Sequence, residues 1–234
     1  MADQAYKNVY HVPYHWMLSD FFKKKYEYPI ELLRQHLREY EIVLDIGCGD
    51  GRLTSLLAER IGWIVGLDHQ LLPLRFARLL VQRENLCLLR QDLLLSPLPF
   101  ANDAFDWVTC FDVIEHIPRE AVPGLLSEIK RVLKPGGGLA LTTPNRDSLR
   151  NRIWGHHLTD KHCFELNPRE MTQTLYAAEL EIIELRGIYL PIPIPKVEHY
   201  ASVVPFRALF RWLIPLGERF VSLSETMFVL ARSQ

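Results

Sequence analysis

The sequence predicts an α/β fold with an open, mostly parallel sheet, and two patterns carry that prediction. Between residues 42 and 143, short apolar runs alternate with helical patterns, as is typical of β-α-β units. The first run, Val43-Leu44-Asp45-Ile46, leads into glycines at positions 47, 49 and 51 and then into a helix. A glycine turn at the carboxyl end of the first strand of such a sheet cradles a nucleotide. The pattern therefore predicts a nucleotide-binding domain.

The other elements follow from the same periodicities. The predicted strands are, in chain order, 42–46, 63–67, 86–90, 105–110, 138–143, 181–189 and 226–231. The predicted helices are 52–61, 71–83, 119–133 and 168–178, the last with Asn167 as its N-cap. Before the first strand, Ile30, Leu33 and Leu37 recur at helical spacing and predict a helix that docks on the sheet. The segment 146–166 has no clear periodicity.

The length of 234 residues suits a single domain with appended segments. Residues 1–40 are rich in aromatic side chains and are interpreted as an N-terminal cap, and 41–190 as the cofactor-binding core. Residues 191–225 form an apolar insertion where a hairpin needs only a short loop, and 226–234 carry the last strand. The insertion is interpreted as ordinary packing or as a substrate lid. Four of its residues share one helical face: Phe206, Leu209, Phe210 and Leu213.

Composition excludes several classes of protein. The formal net charge of −1 argues against general nucleic-acid binding, which needs a basic surface. The four cysteines form no metal-binding or redox motif, and the start Met1-Ala2-Asp3-Gln4 lacks the pattern of a signal peptide. The apolar stretches are shorter than the ~20 residues that a membrane span requires. A cytoplasmic location is expected.

The spacing of the glycines excludes two common nucleotide sites. A dinucleotide fingerprint would need glycine or alanine at position 52, where the chain has Arg52. A P-loop would need a lysine after the glycines, and none follows.

The run Asp45-x-Gly47-x-Gly49-x-Gly51 instead resembles motif I of the class I S-adenosylmethionine-dependent methyltransferases. Five further segments match that family in order: Ile64 to Asp68, Leu88 to Leu93, Phe105 to Asp112, Ile114 to Ile117, and Lys130 to Gly137. The resemblance implies a seven-stranded sheet of order 3-2-1-4-5-7-6 with the last strand antiparallel and helices on both faces. It also implies S-adenosylmethionine as the cofactor and S-adenosylhomocysteine as its product.

The resemblance also assigns cofactor-binding residues. Asp68 would hold both ribose hydroxyls, Asp45 would orient the glycine turn, and Asp92 would meet the adenine amine. The full expected set is Asp45, Gly47, Cys48, Gly49, Gly51, Asp68, His69, Asp92, Leu93, Phe111, Asp112 and His116. Simpler roles remain open for all three acids: Asp68 as a helix N-cap, Asp45 as an acceptor for loop N–H groups only, and Asp92 as a solvent-facing turn residue.

Methyl transfer is a direct displacement, so a base is needed only when the acceptor is protonated. The candidate catalytic residues are His162 and His116, with a structural hydrogen bond as the alternative for each. His162 lies in a segment that resembles the Asp-His-x-x-x-Phe segment of ubiquinone-pathway-like methyltransferases. No metal site is expected, because no carboxylate at ligand spacing accompanies His156, His157 and His162 in the sequence.

The leading hypothesis is a methyltransferase of the ubiquinone/menaquinone-biosynthesis type acting on a small apolar, aromatic or lipid-like acceptor, with peripheral membrane contact as an option. A protein or nucleic-acid methyltransferase is a second hypothesis. The exit of the fourth strand, Cys110-Phe111-Asp112-Val113, lacks the Asn/Asp-Pro-Pro-aromatic pattern of DNA amino-methylating enzymes. A third is a module that holds the cofactor without turnover, since fold alone does not determine activity. The sequence does not indicate an oligomeric state.

Overall fold

A computed structural model of the chain describes residues 12–17, 20–192 and 204–233. The side chains of residues 20–22, 24, 25 and 204–211 lie outside that description. The helices are α1 Asp20–Leu33, α2 Arg52–Ala58, α3 Leu71–Leu80, α4 Val122–Val132, α5 Leu149–Trp154, α6 Pro168–Ala177 and α7 Val204–Arg219. The strands are β1 Ile42–Ile46, β2 Trp63–Asp68, β3 Leu86–Arg90, β4 Phe105–Phe111, β5 Leu133–Pro144, β6 Leu180–Ile188 and β7 Thr226–Ser233.

The strands form one sheet in the order β3-β2-β1-β4-β5-β7-β6. β1 to β5 pair in parallel, whereas β7 runs antiparallel to both of its neighbours. This confirms the predicted fold class and strand order. Because β2 and β4 flank β1, the chain reverses its winding direction there, and ligands bind at such a switch point in open α/β sheets.

Hydrophobic cores cover both faces of the sheet, as the alternation of side chains along its strands requires. In β7, Phe228 and Leu230 face the side that α1, α2 and α7 cover, and Val229 between them faces the side of α4 and α6. Helices on both faces were predicted from the resemblance and are confirmed.

Several predicted boundaries were wrong. α2 ends at Ala58 instead of 61, α3 ends at Leu80 instead of 83, and α4 begins at Val122 instead of 119. β5 begins at Leu133 instead of 138, because residues 134–137 form a bulge within the strand, where the register with β4 shifts. α5 lies within 146–166, where its six residues are too few to give a clear period; Ser148 caps it by accepting the N–H of Asn151. The first helix ends at Leu33, so Leu37 lies in the irregular segment after the turn that follows it.

The described part of the 191–225 insertion is attached to the sheet. Leu213 and Ile214 of α7 are buried in the core, and Gly217 packs backbone against backbone on β6. A Cβ atom at Gly217 would lie 2.6 Å from the backbone nitrogen of Tyr189. Of the predicted apolar stripe, only Leu213 has a described side chain. Its burial there agrees with packing, and the lid stays a prediction for the rest. Among the helices of the described ranges, none is long and apolar enough to cross a membrane.

Candidate active site

A cavity of about 690 Å³ opens along the edge of the sheet where the parallel strands end. Side chains from the ends of β1, β2, β4 and β5 line it, together with the glycine turn and the loop after β5. Its volume falls within the ~300–1,000 Å³ typical of small-molecule sites.

The glycine turn between β1 and α2 has a left-handed backbone at all three glycines, with φ of 75° at Gly47, 53° at Gly49 and 76° at Gly51. A Cβ atom at Gly47 would lie 2.3 Å from Val113, and one at Gly51 would lie 2.8 Å from Ala77. At Gly49 it would meet nothing closer than 3.9 Å, because this residue faces the cavity. Gly47 and Gly51 therefore serve packing, and Gly49 leaves room for a ligand against the backbone.

Asp68, the last residue of β2, holds this turn in place. One carboxylate oxygen accepts the N–H of Gly49 at 3.0 Å, and the other accepts the N–H of Gln70 at 2.8 Å. Burial raises the pKa of this carboxyl. Each carboxylate oxygen can accept a second hydrogen bond, so Asp68 has the capacity for two ligand hydroxyls as well. The N-cap of α3 is Gln70, without a side-chain cap bond, so the N-cap role considered for Asp68 was wrong and its ribose role stays a prediction.

Asp45 makes contacts that were not predicted from sequence, and its role toward the glycine turn and the cofactor stays a prediction. Its buried carboxyl accepts the hydroxyl of Thr54 in α2 at 2.6 Å and the hydroxyl of Thr109 in β4 at 2.7 Å. No loop N–H group is among its described partners. Burial, which outweighs the two hydroxyl donors, raises the pKa of Asp45 to about 6. Asp45 thus ties β1, β4 and α2 together beneath the cavity that it also lines.

This raised pKa predicts that the stability of the fold depends on pH through Asp45. Between about pH 4 and pH 6 the unfolded chain loses this proton while the folded protein keeps it, so rising pH removes up to about 3 kcal/mol of stability. Urea unfolding of wild type and Asp45→Asn across this range should show their difference in unfolding free energy shifting in favour of the variant. A difference that stays constant with pH would contradict the assignment.

The N-terminal segment closes one side of the cavity through Asp50. Its buried carboxylate accepts the backbone N–H of His15 at 2.8 Å and lies 3.1 Å from the His15 ring, while its carbonyl accepts the indole N–H of Trp16 at 3.0 Å. Arg52 stacks over Trp16 and pairs with Glu27 of α1. The described part of residues 1–40 is therefore joined to the glycine turn itself.

The exit of β4 presents Phe111 and Asp112 to the cavity, as predicted. Asp112 has a left-handed backbone with φ of 51°, which is costly for a residue with a side chain. Thr142 of β5 holds it there: the threonine hydroxyl accepts the N–H of Asp112 at 3.0 Å, and its contact with the Asp112 carboxylate measures 2.9 Å.

The remaining expected cofactor residues divide into two groups. Cys48, His69 and Leu93 line the cavity, and burial raises the pKa of the Cys48 thiol and lowers that of His69. Asp92 is not among the lining residues; its carboxylate accepts the N–H of Leu94 at 2.9 Å in a tight turn. Asp92 therefore holds a turn, its neighbours Gln91 and Leu93 lie on the cavity wall, and its contact with adenine stays a prediction.

The two candidate catalytic histidines meet in the cavity, with ring centroids 5.0 Å apart. Nδ1 of His116 lies 2.9 Å from the carbonyl oxygen of Lys161, and Nδ1 of His162 lies 2.7 Å from the carboxylate of Glu165. Because a carbonyl and a carboxylate only accept, both Nδ1 atoms carry the hydrogen when the rings are neutral. Each Nε2 atom then carries the lone pair that binds a proton or a metal ion.

Two buried glutamates surround this pair. Burial alone would raise the pKa of Glu165, but hydrogen bonds from His162 and His156 outweigh it and hold the pKa below its usual value. Glu115 is 1 % exposed, and burial followed by the charge of Asp112 raises its pKa well above the usual value. The fold therefore brings two carboxylates to these histidines, which their spacing in the sequence did not indicate.

Comparison with known proteins assigns the chain to a family. Residues 43–137 match the family model described as a methyltransferase domain. The ubiquinone biosynthesis O-methyltransferase of Hahella chejuensis is 32 % identical over 165 residues, which cover 64 % of this chain and 67 % of the relative. The protein of the same name from Acinetobacter baumannii is also 32 % identical, over 64 % of this chain and 68 % of its own. The chain is a class I S-adenosylmethionine-dependent methyltransferase.

Solved structures agree on the fold of this methyltransferase. A SAM-dependent methyltransferase from Aquifex aeolicus superposes with a TM-score of 0.64 at 16 % identity, over 96 % of this chain and all of the other. The cyclase SpnF superposes with a TM-score of 0.63 at 18 % identity, over 88 % of this chain and 80 % of its own. Since a cyclase shares the fold, the choice of acceptor has to be argued from the site.

For the methyltransferase, replacing Gly49 is expected to weaken cofactor binding. Gly49→Val places a branched side chain into the cavity from a backbone with φ of 53°, and a left-handed backbone alone costs ~1–2 kcal/mol. Calorimetric titration with S-adenosylhomocysteine should show affinity at least ~10-fold lower. Gly124→Ala in α4, where an added Cβ meets nothing within 4 Å, is the control. Wild-type affinity in a folded Gly49→Val protein would contradict the assigned role.

Several residues of the site escaped the sequence reasoning. Thr54, Thr109 and Thr142 carry no local signal, because a threonine on a core strand or helix is common. Glu165 follows His162 by three residues, a spacing that places two side chains together in a helical turn and could have indicated the pair. Asp50 lies inside the glycine motif, but its partners His15 and Trp16 are distant in sequence, so the motif does not indicate its role.

Proposed function

We propose that this methyltransferase transfers the methyl group of S-adenosylmethionine to a hydroxyl oxygen of a small, largely apolar acceptor. The observation that carries the proposal is the pair His116 and His162 in the same cavity as the glycine turn and Asp68. When bound, the cofactor supplies an electrophilic methyl group on a sulfonium. A neutral hydroxyl is a poor nucleophile until it loses its proton, and a histidine pair is suited to assist that loss near neutral pH.

The cofactor would lie against the glycine turn. Gly49 gives its backbone space, and Asp68 would accept its ribose hydroxyls in addition to the two N–H groups that it already holds. Phe111 and Leu93 would bound the adenine, and Asp112, with Asp45 beneath it, would lie near the positively charged portion.

The acceptor would fill the remainder of the cavity, where apolar walls alternate with polar and charged side chains such as Arg150 and Glu225. The apolar walls include Val113, Ile117, Pro144, Trp154 and Ile188. A small aromatic or lipid-like molecule with a hydroxyl matches these walls better than a charged polymer does. The relatives named ubiquinone biosynthesis O-methyltransferases support oxygen as the methylated atom. The exposed Ile153, Trp154 and Trp212 would allow contact with a lipid surface.

The test is a panel of small acceptors assayed with S-adenosylmethionine by mass spectrometry. Alkyl-substituted phenols and catechols are expected to gain one methyl group on oxygen. The matched amine and methyl-ether analogues, peptides and RNA are expected to gain none. Methylation of the amine series or of a macromolecule in preference to every hydroxylated compound would overturn the proposal.

A further inference from the structure

A charged pair in the cavity wall has no role in the assignments made so far. Glu225, the residue immediately before β7, lines the cavity together with Arg150 of α5. Neither side chain belongs to the glycine turn, to the expected cofactor residues or to the histidine pair. A carboxylate and a guanidinium in a wall that faces a largely apolar acceptor call for an explanation of their own.

The backbone of Glu225 is fixed on both sides. Its N–H donates to the carbonyl of Tyr189 at 2.8 Å, and its carbonyl accepts the N–H of Asn145 at 2.9 Å. These bonds connect Glu225 to the residues that directly follow β6 and β5. The side chain therefore starts from a rigid part of the sheet edge, as a side chain that recognises a ligand requires.

Arg150 holds one oxygen of the Glu225 carboxylate and leaves the other. Its guanidinium donates to Oε1 at 2.8 Å. Oε2 is buried, yet it accepts no hydrogen bond from any residue in the described ranges. A buried oxygen without a partner is unfavourable and uncommon in folded proteins, so it indicates a ligand that satisfies it. Because the terminal torsion of glutamate is broad, a small rotation turns Oε2 toward the cavity.

The charges of the pair decide which chemical group fits. A carboxylate oxygen only accepts hydrogen bonds, so the ligand has to supply a donor. An ammonium group would lie beside the guanidinium of Arg150, and an acid would lie beside the carboxylate of Glu225, so repulsion disfavours an ion of either sign. A hydroxyl is neutral, and the same oxygen atom can donate to the carboxylate and accept from the guanidinium.

The position of Glu225 decides where on the acceptor this hydroxyl lies. His116 follows β4, Glu225 precedes β7, and β5 separates the two strands in the sheet. Neighbouring strands are ~4.8 Å apart, so the two backbone positions are ~10 Å apart, a gap that the side chains shorten. The adjacent hydroxyls of a catechol are too close together to contact both places. An acceptor that contacts both carries its second hydroxyl at a distance from the first.

We propose that Glu225, held by Arg150, accepts a hydrogen bond from a second hydroxyl group of the acceptor, remote from the hydroxyl that is methylated. This inference rests on the proposed function for the existence of a hydroxylated acceptor, and it specifies the class: an apolar molecule with a hydroxyl group at each end. Glu225 contacts no reacting atom, so it determines which acceptor binds, and Arg150 positions it.

The inference is tested by ligand binding, which requires no methyl transfer. Protein saturated with S-adenosylhomocysteine is titrated calorimetrically with para-propylphenol, with the analogue that carries a hydroxyl at the end of the propyl chain, and with the methyl ether of that terminal alcohol. The ether accepts hydrogen bonds but donates none. We expect the terminal alcohol to bind at least ~10-fold more tightly than the ether, as a hydrogen bond to a charged acceptor allows.

Glu225→Ala is expected to remove this preference. Affinity for the terminal alcohol should fall by at least ~10-fold, whereas affinities for para-propylphenol and S-adenosylhomocysteine should stay within a few-fold of wild type. Glu225→Gln keeps the shape and an acceptor oxygen without the charge, so it should retain part of the preference, and it serves as the test if the alanine variant does not fold. Glu59→Ala is the matched control, because the Glu59–Arg83 pair, at 2.9 Å, does not line the cavity.

The outcomes separate this inference from the proposed function. Equal affinity of wild type and Glu225→Ala for the terminal alcohol, or no binding of any of the three compounds, would overturn the inference, and O-methylation of simple phenols would then leave the function intact. Tighter binding of the corresponding carboxylic acid would also overturn it, because Arg150 would then recognise the acceptor. A preference for the alcohol that depends on Glu225, without methylation of any hydroxylated acceptor, would support the inference and count against the function.

Discussion

Replacing Asp68 by alanine is expected to lower the affinity for S-adenosylhomocysteine by about 100-fold or more. Each hydrogen bond to a charged acceptor contributes ~1.5–3 kcal/mol, so two ribose hydroxyls account for at least ~3 kcal/mol. The variant also releases the N–H groups of Gly49 and Gln70, so the glycine turn loses its anchor on β2. Calorimetric titration measures the affinity, and urea unfolding measures the accompanying loss of stability.

Asp92→Ala is the matched control, because Asp92 also follows a strand and also accepts a backbone N–H group, that of Leu94. Since its side chain is not among those that line the cavity, its affinity for S-adenosylhomocysteine should change by less than ~10-fold. An Asp92 effect equal to that of Asp68 would restore the adenine contact expected from sequence. An unchanged affinity in folded Asp68→Ala would remove the central cofactor assignment.

His162→Gln is expected to reduce the saturated rate of methyl transfer by ~10²-fold or more while leaving cofactor affinity within a few-fold. The reason is that the variant loses the Nε2 atom that assists loss of the acceptor proton in the proposed function. The acidic side of the pH–rate profile should flatten as well. Steady-state kinetics with a hydroxylated acceptor, at saturating cofactor, is the measurement.

The His162→Gln result is interpreted together with two further variants, His36→Gln and His116→Gln. His36→Gln should keep the wild-type rate, because His36 lies by Glu184, away from the cavity. If both histidines act on the acceptor, His116→Gln should reduce the saturated rate as His162→Gln does. If His116→Gln only raises the apparent Michaelis constant for S-adenosylmethionine, His116 organises the cofactor pocket and does not act on the acceptor. Small, equal effects of both substitutions would mean that the acceptor ionises without help.

The fold followed from sequence because its determinants are local and repeated. Apolar runs of strand length, three glycines and an acid at the end of β2 each predict structure within a few residues, and the strand order followed from the family resemblance. The errors fell where local signals are weak: α5 has six residues, and the start of β5 is set by a bulge against β4. Such features depend on a neighbouring strand and leave little trace in the chain itself.

The site was predictable on the cofactor side and much less so on the acceptor side. Asp68 and the glycine turn lie in one motif, whereas Glu165, Glu115 and His162 are brought together only by the loop after β5. Asp45 illustrates the limit further: the predicted strand order places β4 beside β1, but nothing in the sequence singles out Thr54 and Thr109 as partners of its carboxyl. Sequence spacing predicts contacts within an element, and the sheet topology decides those between elements.

The most direct test of the proposed methyl transfer is a single-turnover experiment. Protein is in excess over S-adenosylmethionine that carries a labelled methyl group. An alkyl-substituted catechol serves as acceptor, and both products are quantified by mass spectrometry. If the proposed function is right, S-adenosylhomocysteine and O-methylated acceptor form in equal amounts. Cofactor that binds but stays intact with every hydroxylated acceptor would contradict it and indicate a module that holds the cofactor without turnover.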